Sequence, residues 1–309
     1  MGRTAKIIIW SIVTLTVLAI TLMLFLMPEF PFGKIDIGLP VFSNYKYENA
    51  DKYVAGDISY KTDGINRIDV NWVSGAVNIE LWDGDEISVS ETGNTDGSEE
   101  KKVHTAIING SLMIKFAASG NIKTNMSGKQ LTVRIPAKAE FSVATVDAVS
   151  ADVNVGAGLG AEVLSVESVS GRVAVKKFSG SQLDIYTTSG NIKIDGATVG
   201  KADVESVSGD VRISDSDIVS LDIETVSGEV YYSAVSAKAM KSIDIDSVSG
   251  DIKILLPEGV GFAAKLSSVS GDFDSDFACV RNGKTYTCGD GSIKISADTT
   301  SGDLAVNKK

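Results

Sequence analysis

A Val-Ser-Gly-Asp corner recurs along most of the chain and restricts its fold more than any other feature. At the corners of the repeat, the Ser-Gly pair, or Ser-Ala at 150–151, begins at residues 74, 119, 150, 170, 189, 208, 227, 249, 270 and 301. From the corner at residue 151 onward, successive intervals are 20, 19, 19, 19, 22, 21 and 31 residues. A unit of this length cannot bury a core alone, so the units must stack on one another.

Each corner joins two alternating strands. The units SLDIETVSGEVYY (220–232) and SIDIDSVSGDIKI (242–254) align without a gap. Alternation at period two places aliphatic side chains on one face and Asp, Glu or Lys on the other. The sequence therefore predicts an all-β fold, a β-solenoid of about 19–22 residues per coil. Eight to eleven coils at about 4.8 Å each would form a rod of roughly 40–50 Å.

Glycine in the corner has a conformational reason. A sharp bend between strands often needs a positive φ, which glycine adopts at little cost. The predicted corner glycines are Gly75, Gly171, Gly190, Gly209, Gly228, Gly250, Gly271 and Gly302. A second register of hydroxyl residues (Ser206, Thr225, Ser247 and Ser268) is expected to bond backbone groups at the bend.

The residue after the glycine varies, which indicates an exposed corner with little constraint. It is Arg172, Asn191, Asp210, Glu229, Asp251, Asp272 or Asp303. An acidic row of this kind leaves calcium binding open, although Arg172 and Asn191 interrupt it and the nine-residue repeat of calcium-binding β-rolls is absent.

The amino-terminal segment predicts a membrane anchor. Residues 7–27 form an apolar run of 21 residues without charge, glycine or proline, long enough to span about 30 Å of hydrocarbon. Arg3 and Lys6 precede it, which predicts a cytoplasmic tail at 1–6 and an extracytoplasmic location for the rest. A cleaved signal peptide is the alternative, but no small-residue cleavage site follows.

Two further segments complete the predicted organisation. Residues 28–60 are expected to form a juxtamembrane segment, and 61–309 the solenoid. Some aromatic residues of the first segment are expected at the lipid interface (Phe30, Phe32, Phe42, Tyr45, Tyr47 and Tyr53). Trp72 and Trp82 are candidates for closing the end of the core, or for plain burial.

Cys279 and Cys288 predict a disulfide across a hairpin. A turn at Gly283-Lys284 pairs Asn282 with Thr285 and brings the two cysteines opposite each other at a non-hydrogen-bonded site. An Asn-Gly turn would offset them, and two free thiols remain the alternative. The long last interval marks residues 277–288 as a hairpin inserted between two coils.

Charge and composition exclude several functions. The net charge is −11, and an acidic protein lacks the basic surface that nucleic acid requires. His104 is the single histidine, and no zinc, nucleophile-elbow, phosphate-loop or dinucleotide motif is present. Neither a catalytic residue, a cofactor site nor a metal site is predicted.

The chain resembles the bacterial putative-adhesin β-strand-repeat family, a domain of unknown function. The resemblance covers roughly 65–306 and depends on the repeated corners and on two strands closed by proline, LTVRIPAKAEF (131–141) and IKILLPEGVGF (252–262). It implies a membrane-anchored solenoid, and some relatives are associated with cell-envelope stress. Ala151 at a glycine corner and the cysteine hairpin depart from the pattern.

These features predict a non-catalytic binding or scaffold protein at the bacterial envelope. Its expected partners are the lipid bilayer through residues 7–27 and a cell-wall polymer or a membrane protein, with no nucleic acid. An envelope-stress sensor or modulator is the first alternative. A polysaccharide-active β-helix enzyme is the second, because paired carboxylates occur on any acidic solenoid.

Overall fold

The computed structural model describes residues 45–93, 97–120 and 128–309. The predicted anchor at 7–27, the tail at 1–6 and the first part of the juxtamembrane segment lie outside these residues. Within them, no helix is both long and apolar enough to span a bilayer. Two 3-10 turns (Ala50–Lys52 and Glu99–Lys101) are the helical elements of the described residues.

The described residues are otherwise all β. The first strands are β1 (Val54–Ala55), β2 (Ile58–Lys61), β3 (Arg67–Trp82), β4 (Glu86–Thr92), β5 (His104–Ile108), β6 (Ser111–Lys115) and β7 (Gln130–Pro136). The central strands are β8 (Phe141–Val155), β9 (Ala161–Ser170), β10 (Val173–Lys176), β11 (Ser179–Ser189), β12 (Ile192–Asp195), β13 (Thr198–Ser208), β14 (Val211–Ser227) and β15 (Val230–Ala234). The last strands are β16 (Ser242–Ser249), β17 (Ile252–Leu256), β18 (Phe262–Ser267), β19 (Phe273–Ser275), β20 (Cys279–Asn282), β21 (Thr285–Cys288), β22 (Ile293–Asp298) and β23 (Leu304–Lys308).

Successive coils stack as parallel strands in register. Val173, Ile192, Val211 and Val230 pair in one column, each one repeat after the last. The strands before each corner form a long face in the order β6–β3–β8–β9–β11–β13–β14–β16–β22–β18. The strands after each corner form a short face in the order β7–β3–β8–β10–β12–β14–β15–β17–β23–β19. The predicted repeat architecture is therefore present.

The core is a continuous aliphatic column between the two faces. Leu221 and Ile223 lie buried directly beside Ile243 and Ile245 of the next coil. Burial of each such side chain contributes about 1.5–3 kcal/mol, and stacking supplies the neighbours that one coil lacks.

The hydroxyl register is only partly as predicted. Thr225 and Ser247 donate to the carbonyl oxygens of Ser227 and Ser249, as expected, at 3.4 and 3.3 Å. Among the described residues, the buried hydroxyls of Ser206 and Ser268 have no hydrogen-bond partner, so the prediction fails for these two. The strand next to β16 is β22 rather than β18, so Thr299 takes the next place in the register. Thr299 donates to Ser301 in the same way, at 3.1 Å.

The order of coils in space differs from their order in sequence at both ends. β3 lies between β8 and the later strands β6 and β7, so the first coil is the second layer. At the other end, β22 and β23 lie between β16–β17 and β18–β19, so the last coil is also one layer inside. The regular sequence interval predicts that coils stack in sequence order, and it does not predict these two changes of order.

Antiparallel strands cover the ends of the stack. At the first end, β5 pairs with β6, β4 pairs with β7, and β1 and β2 extend these pairs. At the other end, β21 pairs with β18 and β20 pairs with β21. Antiparallel closure reduces the exposed parallel edge to which another chain could add.

The cysteine hairpin has the predicted register. Asn282 pairs with Thr285, and Cys279 pairs with Cys288 in a disulfide with a Cα–Cα distance of 4.2 Å. The hairpin follows one coil and precedes another in sequence, as expected, but in space it covers the end of the stack. It is therefore a cap rather than a spacer between neighbouring coils.

The folded unit begins before residue 61, the predicted start of the solenoid. Tyr45 is buried, and its hydroxyl accepts a hydrogen bond from the backbone N–H of Phe116 at 3.0 Å. Tyr47 packs between Tyr45 and Tyr53, with ring centroids 5.6 and 4.7 Å away. These three tyrosines pack on the cap, whereas the other aromatic residues of that prediction (Phe30, Phe32 and Phe42) lie outside the described residues.

A buried lysine holds the same end together. Lys129 forms an ion pair with Glu91 at 2.7 Å and donates to the carbonyl oxygen of Phe116 at 2.5 Å. Its ammonium group also lies 5.1 Å from the ring of Trp72, which is fully buried. Trp72 thus fills the core near this end, as the sequence allowed.

Stacking provides a second reason, besides the positive φ, why the corner positions are occupied by glycine. Gly209 and Gly250 have φ values of 131° and 125°, as predicted. A Cβ on Gly209 would overlap the carbonyl oxygen of Gly190 in the coil below, and one on Gly250 would overlap that of Gly228. The prediction of positive φ fails at Gly271, where close approach to Gly302 alone excludes a side chain.

Valine at a stacked corner is expected to be far more damaging than valine at an exposed turn. Gly209→Val or Gly250→Val should destabilise the protein by more than about 3 kcal/mol, from backbone strain and overlap together. Gly97 provides the control, since it has a φ of 75° but open space around it. Gly97→Val should cost about 1–2 kcal/mol. Urea unfolding measures both, and equal losses would contradict the stacking argument.

Candidate binding face

The corner carboxylates have a structural role that sequence reasoning missed. Asp210 accepts a hydrogen bond from the backbone N–H of Glu229 in the next coil, at 3.0 Å. Asn191 accepts in the same way from Asp210, at 3.1 Å. Further links of this ladder join Asp152 to Arg172, Asp251 to Asp303 and Asp303 to Asp272. The expectation of little constraint at the position after the glycine is therefore wrong for these residues.

The ladder explains which residues occupy this position. Asp and Asn carry an oxygen at the distance that reaches the next backbone N–H, whereas Arg172 and Glu229 take part in these links as backbone N–H donors. These carboxylates act as hydrogen-bond acceptors between coils. Among the described residues, no group of three or more His, Cys, Asp or Glu side chains is arranged to hold a metal ion.

The long face carries a second and denser set of acidic residues on its outer surface. Its first column consists of Asp184, Asp203, Asp222 and Asp244, which pair in register on successive strands. Its second column consists of Glu205, Glu224, Asp246 and Asp298. Tyr186, Glu167 and Asp147 continue the second column toward the amino-terminal cap. These two columns are called the acidic face below.

Repulsion within the acidic face is substantial. Register places like charges about 5 Å apart along each column. Two unit charges at this distance repel by about 1 kcal/mol in water and about 3 kcal/mol at an effective dielectric of about 20. Lys201, which pairs with Asp203 at 3.1 Å, is a basic residue within this part of the face.

Partial burial and this crowding together raise the pKa values of several carboxylates of the face. Partial burial, followed by repulsion from Glu224 and Asp203, raises the pKa of Glu205 to about 7. Burial first, and then repulsion from neighbouring carboxylates (chiefly Asp203 for Asp222 and Asp298 for Asp246), raises the pKa of Asp222 and of Asp246 to about 6. Burial is also the main cause that raises the pKa of Asp147 to about 7, where Asn71 donates to its carboxylate at 2.6 Å. A positive charge placed beside these carboxylates would therefore stabilise their ionised form.

A half-buried apolar stripe borders the second acidic column. It consists of the valines of the Val-Ser-Gly corners, which lie two residues beyond the acidic position on the same side of each strand: Val149, Val169, Val207, Val226 and Val248. The face thus offers carboxylates and aliphatic surface side by side, on strands held rigidly by the stack.

Comparison with known proteins adds to this geometry. The family profile described as Toastrack DUF4097 matches residues 53–307. The chain belongs to the Toastrack DUF4097 family. The resemblance to the putative-adhesin repeat family, inferred from the corners, is thereby confirmed. No curated protein matches this Toastrack chain.

Two solved structures are similar to the Toastrack chain. A putative adhesin from Bacteroides fragilis matches with 15% identity and a TM-score of 0.51, covering 83% of this chain and 97% of that one. A putative cell adhesion protein from Clostridium sporogenes matches with 14% identity and a TM-score of 0.30, covering 84% of this chain and 100% of that one. The first likeness supports the fold.

The sequence contained the signal for the acidic face of this Toastrack chain. The aligned units read Leu-Asp-Ile-Glu and Ile-Asp-Ile-Asp, so both outward positions of each strand are acidic. Alternation alone identifies these residues as exposed. Their accumulation into columns follows only from knowledge of which strands are neighbours and in what register.

The corner ladder predicts a difference between two substitutions of one residue. Asp210→Ala removes the acceptor for the Glu229 N–H and should destabilise the protein by about 1 kcal/mol. Asp210→Asn should cost much less, because Asn191 already performs the same task one coil below. Thermal or urea unfolding distinguishes them, and equal losses would indicate that the carboxylate acts through its charge.

The acidic face predicts that stability falls as pH rises from about 5 to about 7.5. The folded pKa of Glu205 lies above its ordinary value, so the folded state retains a proton that the unfolded state has released. Glu205→Gln should therefore stabilise the protein at pH 7.5 more than at pH 5. The control is Asp63→Asn in an exposed turn, which should change stability little at either pH. Equal gains at both pH values for Glu205→Gln would contradict a raised pKa of Glu205 in the folded state.

Proposed function

We propose that this chain is a non-catalytic, membrane-anchored binding protein of the bacterial envelope, with its solenoid outside the membrane. The apolar run at 7–27 and the preceding Arg3 and Lys6 support this orientation. The disulfide between Cys279 and Cys288 agrees with an oxidising compartment. Its adhesin-like structural relatives are compatible with a surface role.

The acidic face is the observation on which the proposed binding role depends. A partner with a basic, extended segment would bring positive charge to both columns and relieve their repulsion. The valine stripe would accept apolar side chains of the same segment. The repeat presents the same chemistry on successive strands, so such a segment would find matching contacts over several layers.

The acidic face suits a protein partner with a basic segment better than it suits an anionic wall polymer. The two columns would repel phosphate or carboxylate groups of such a polymer. If the basic segment belongs to a membrane protein, the chain acts as a modulator of that protein. Pull-down of the full-length chain from membranes separates these roles, since a stable stoichiometric membrane partner favours the modulator.

Binding of a basic probe tests the proposal. The full chain in detergent micelles is expected to bind a fluorescent deca-lysine peptide, measured by anisotropy at low ionic strength. Neutralising four central residues (Asp203→Asn, Glu205→Gln, Asp222→Asn and Glu224→Gln) should weaken binding at least tenfold, a loss of about 1.4 kcal/mol or more. Lowering the pH to about 5 should also weaken it, because carboxylates with a raised pKa take up protons.

A matched variant controls for net charge. It neutralises four exposed acids away from the face (Glu48→Gln, Asp51→Asn, Asp274→Asn and Asp276→Asn). Equal weakening by both variants, or equal binding of a deca-glutamate peptide, would contradict a specific role for the face. Amino-terminal sequencing of the membrane-extracted protein checks the anchor, and loss of residues 1–27 would refute an uncleaved one.

A further inference from the structure

A depression at the amino-terminal end of the stack lies apart from the acidic face. The turns that follow β2, β3 and β7 meet there and line an open cavity of about 420 Å³. Its lining includes Trp82, Asp83, Asp85, Pro136 and Lys138.

Trp82 is held in one orientation at this site. Its indole N–H donates to the carbonyl oxygen of Glu86 at 3.0 Å, and its own carbonyl oxygen accepts from the backbone N–H of Ala137 at 3.1 Å. Gly84 lies directly against the ring, since a Cβ at Gly84 would overlap the indole. The ring is thus fixed by a hydrogen bond and by a residue that leaves room for it.

Trp82 differs in burial from the other tryptophan of its strand. Trp72 of the same strand is fully buried, whereas Trp82 stays half-buried and lines the cavity. An indole is a large apolar group, so its partial exposure to water loses part of the favourable free energy of burial. Full burial of Trp72 gains that free energy for the core. A rigid, half-exposed ring in a concave site is typical of a ligand contact.

Polar groups around the ring are available for a ligand. Asp83, Asp85 and Lys138 are exposed and line the same cavity. Within the described residues, none of the three side chains forms an ion pair. The site therefore offers two carboxylates that accept hydrogen bonds and one ammonium group that donates them.

We propose that this depression binds a sugar ring of a neutral glycan. The indole face carries negative potential, which attracts the polarised C–H bonds on one face of a pyranose. The ring hydroxyls, each both donor and acceptor, bind the carboxylates of Asp83 and Asp85 and the ammonium group of Lys138. Two carboxylates disfavour a phosphate ligand, and Lys138 disfavours a cationic one. The site shares no residue with the acidic face and does not depend on its function.

Indole resonances provide a direct test with the full chain in detergent micelles. ¹⁵N-labelled tryptophan gives signals from Trp10, Trp72 and Trp82, and Trp82→Phe identifies the third. The probes are tetrasaccharides of N-acetylglucosamine, glucose and mannose. At least one is expected to shift the Trp82 signal saturably, with a Kd near about 1 mM. The Trp72 signal should not move.

Paired variants separate binding from folding. Asp83→Asn with Asp85→Asn should weaken the titration about fivefold or more, while the Trp82 signal without sugar shows that the turn is intact. Asp274→Asn with Asp276→Asn, at the other end of the stack, has the same charge change and should leave the affinity unaltered. Absence of a saturable shift with all three sugars would overturn the proposal. So would unchanged affinity in the first variant, or a shift by tetramethylammonium and by none of the sugars.

Discussion

In-register parallel stacking is the constraint on which the rest of this structure depends. Each residue lies about 4.8 Å from its equivalent in the next coil, bonded through the backbone. A steric or hydrogen-bonding requirement at one position of the repeat therefore recurs at the equivalent position of every stacked coil. At Gly209 the column leaves no room for a Cβ, because the carbonyl oxygen of Gly190 occupies that space. At Asp210 the column supplies a backbone N–H within reach of a short carboxylate.

The same repetition that stabilises the core works against the acidic face. Aliphatic side chains such as Ile223 and Ile245 gain from lying beside their equivalents. Carboxylates such as Glu205 and Glu224 repel their equivalents, and this repulsion adds to burial in raising the pKa of Glu205. A folded protein that retains an unfavourable array of this kind has stability elsewhere to offset it. Its retention is understandable if the array meets a partner of opposite charge.

Sequence reasoning recovered those features that depend on local pattern. The strands, the corner glycines and the pairing of Cys279 with Cys288 follow from alternation, turn chemistry and hairpin counting. Features that depend on spatial neighbours were missed. Asp210 looks variable in sequence because its partner is the backbone of another coil. Tyr45 resembles an interfacial aromatic until its hydroxyl is known to accept a hydrogen bond from the backbone N–H of Phe116. The surroundings of the half-buried Trp82 indole depend on the turns that follow three separate strands.

The insertion of the first and last coils one layer inside the stack affects how the molecule can be built. An ordinary solenoid can grow coil by coil as its chain emerges, because each coil needs only its predecessor. Here β19 pairs with β23 and with no other strand of the described residues, and β18 reaches β16 only through β22. The carboxyl-terminal end therefore cannot assemble until residues up to about 308 are available. During synthesis, β19 has no partner strand until β23 is made, whereas β18 can already pair with β21. Completion of the last coil then joins both strands to the stack and closes the unit.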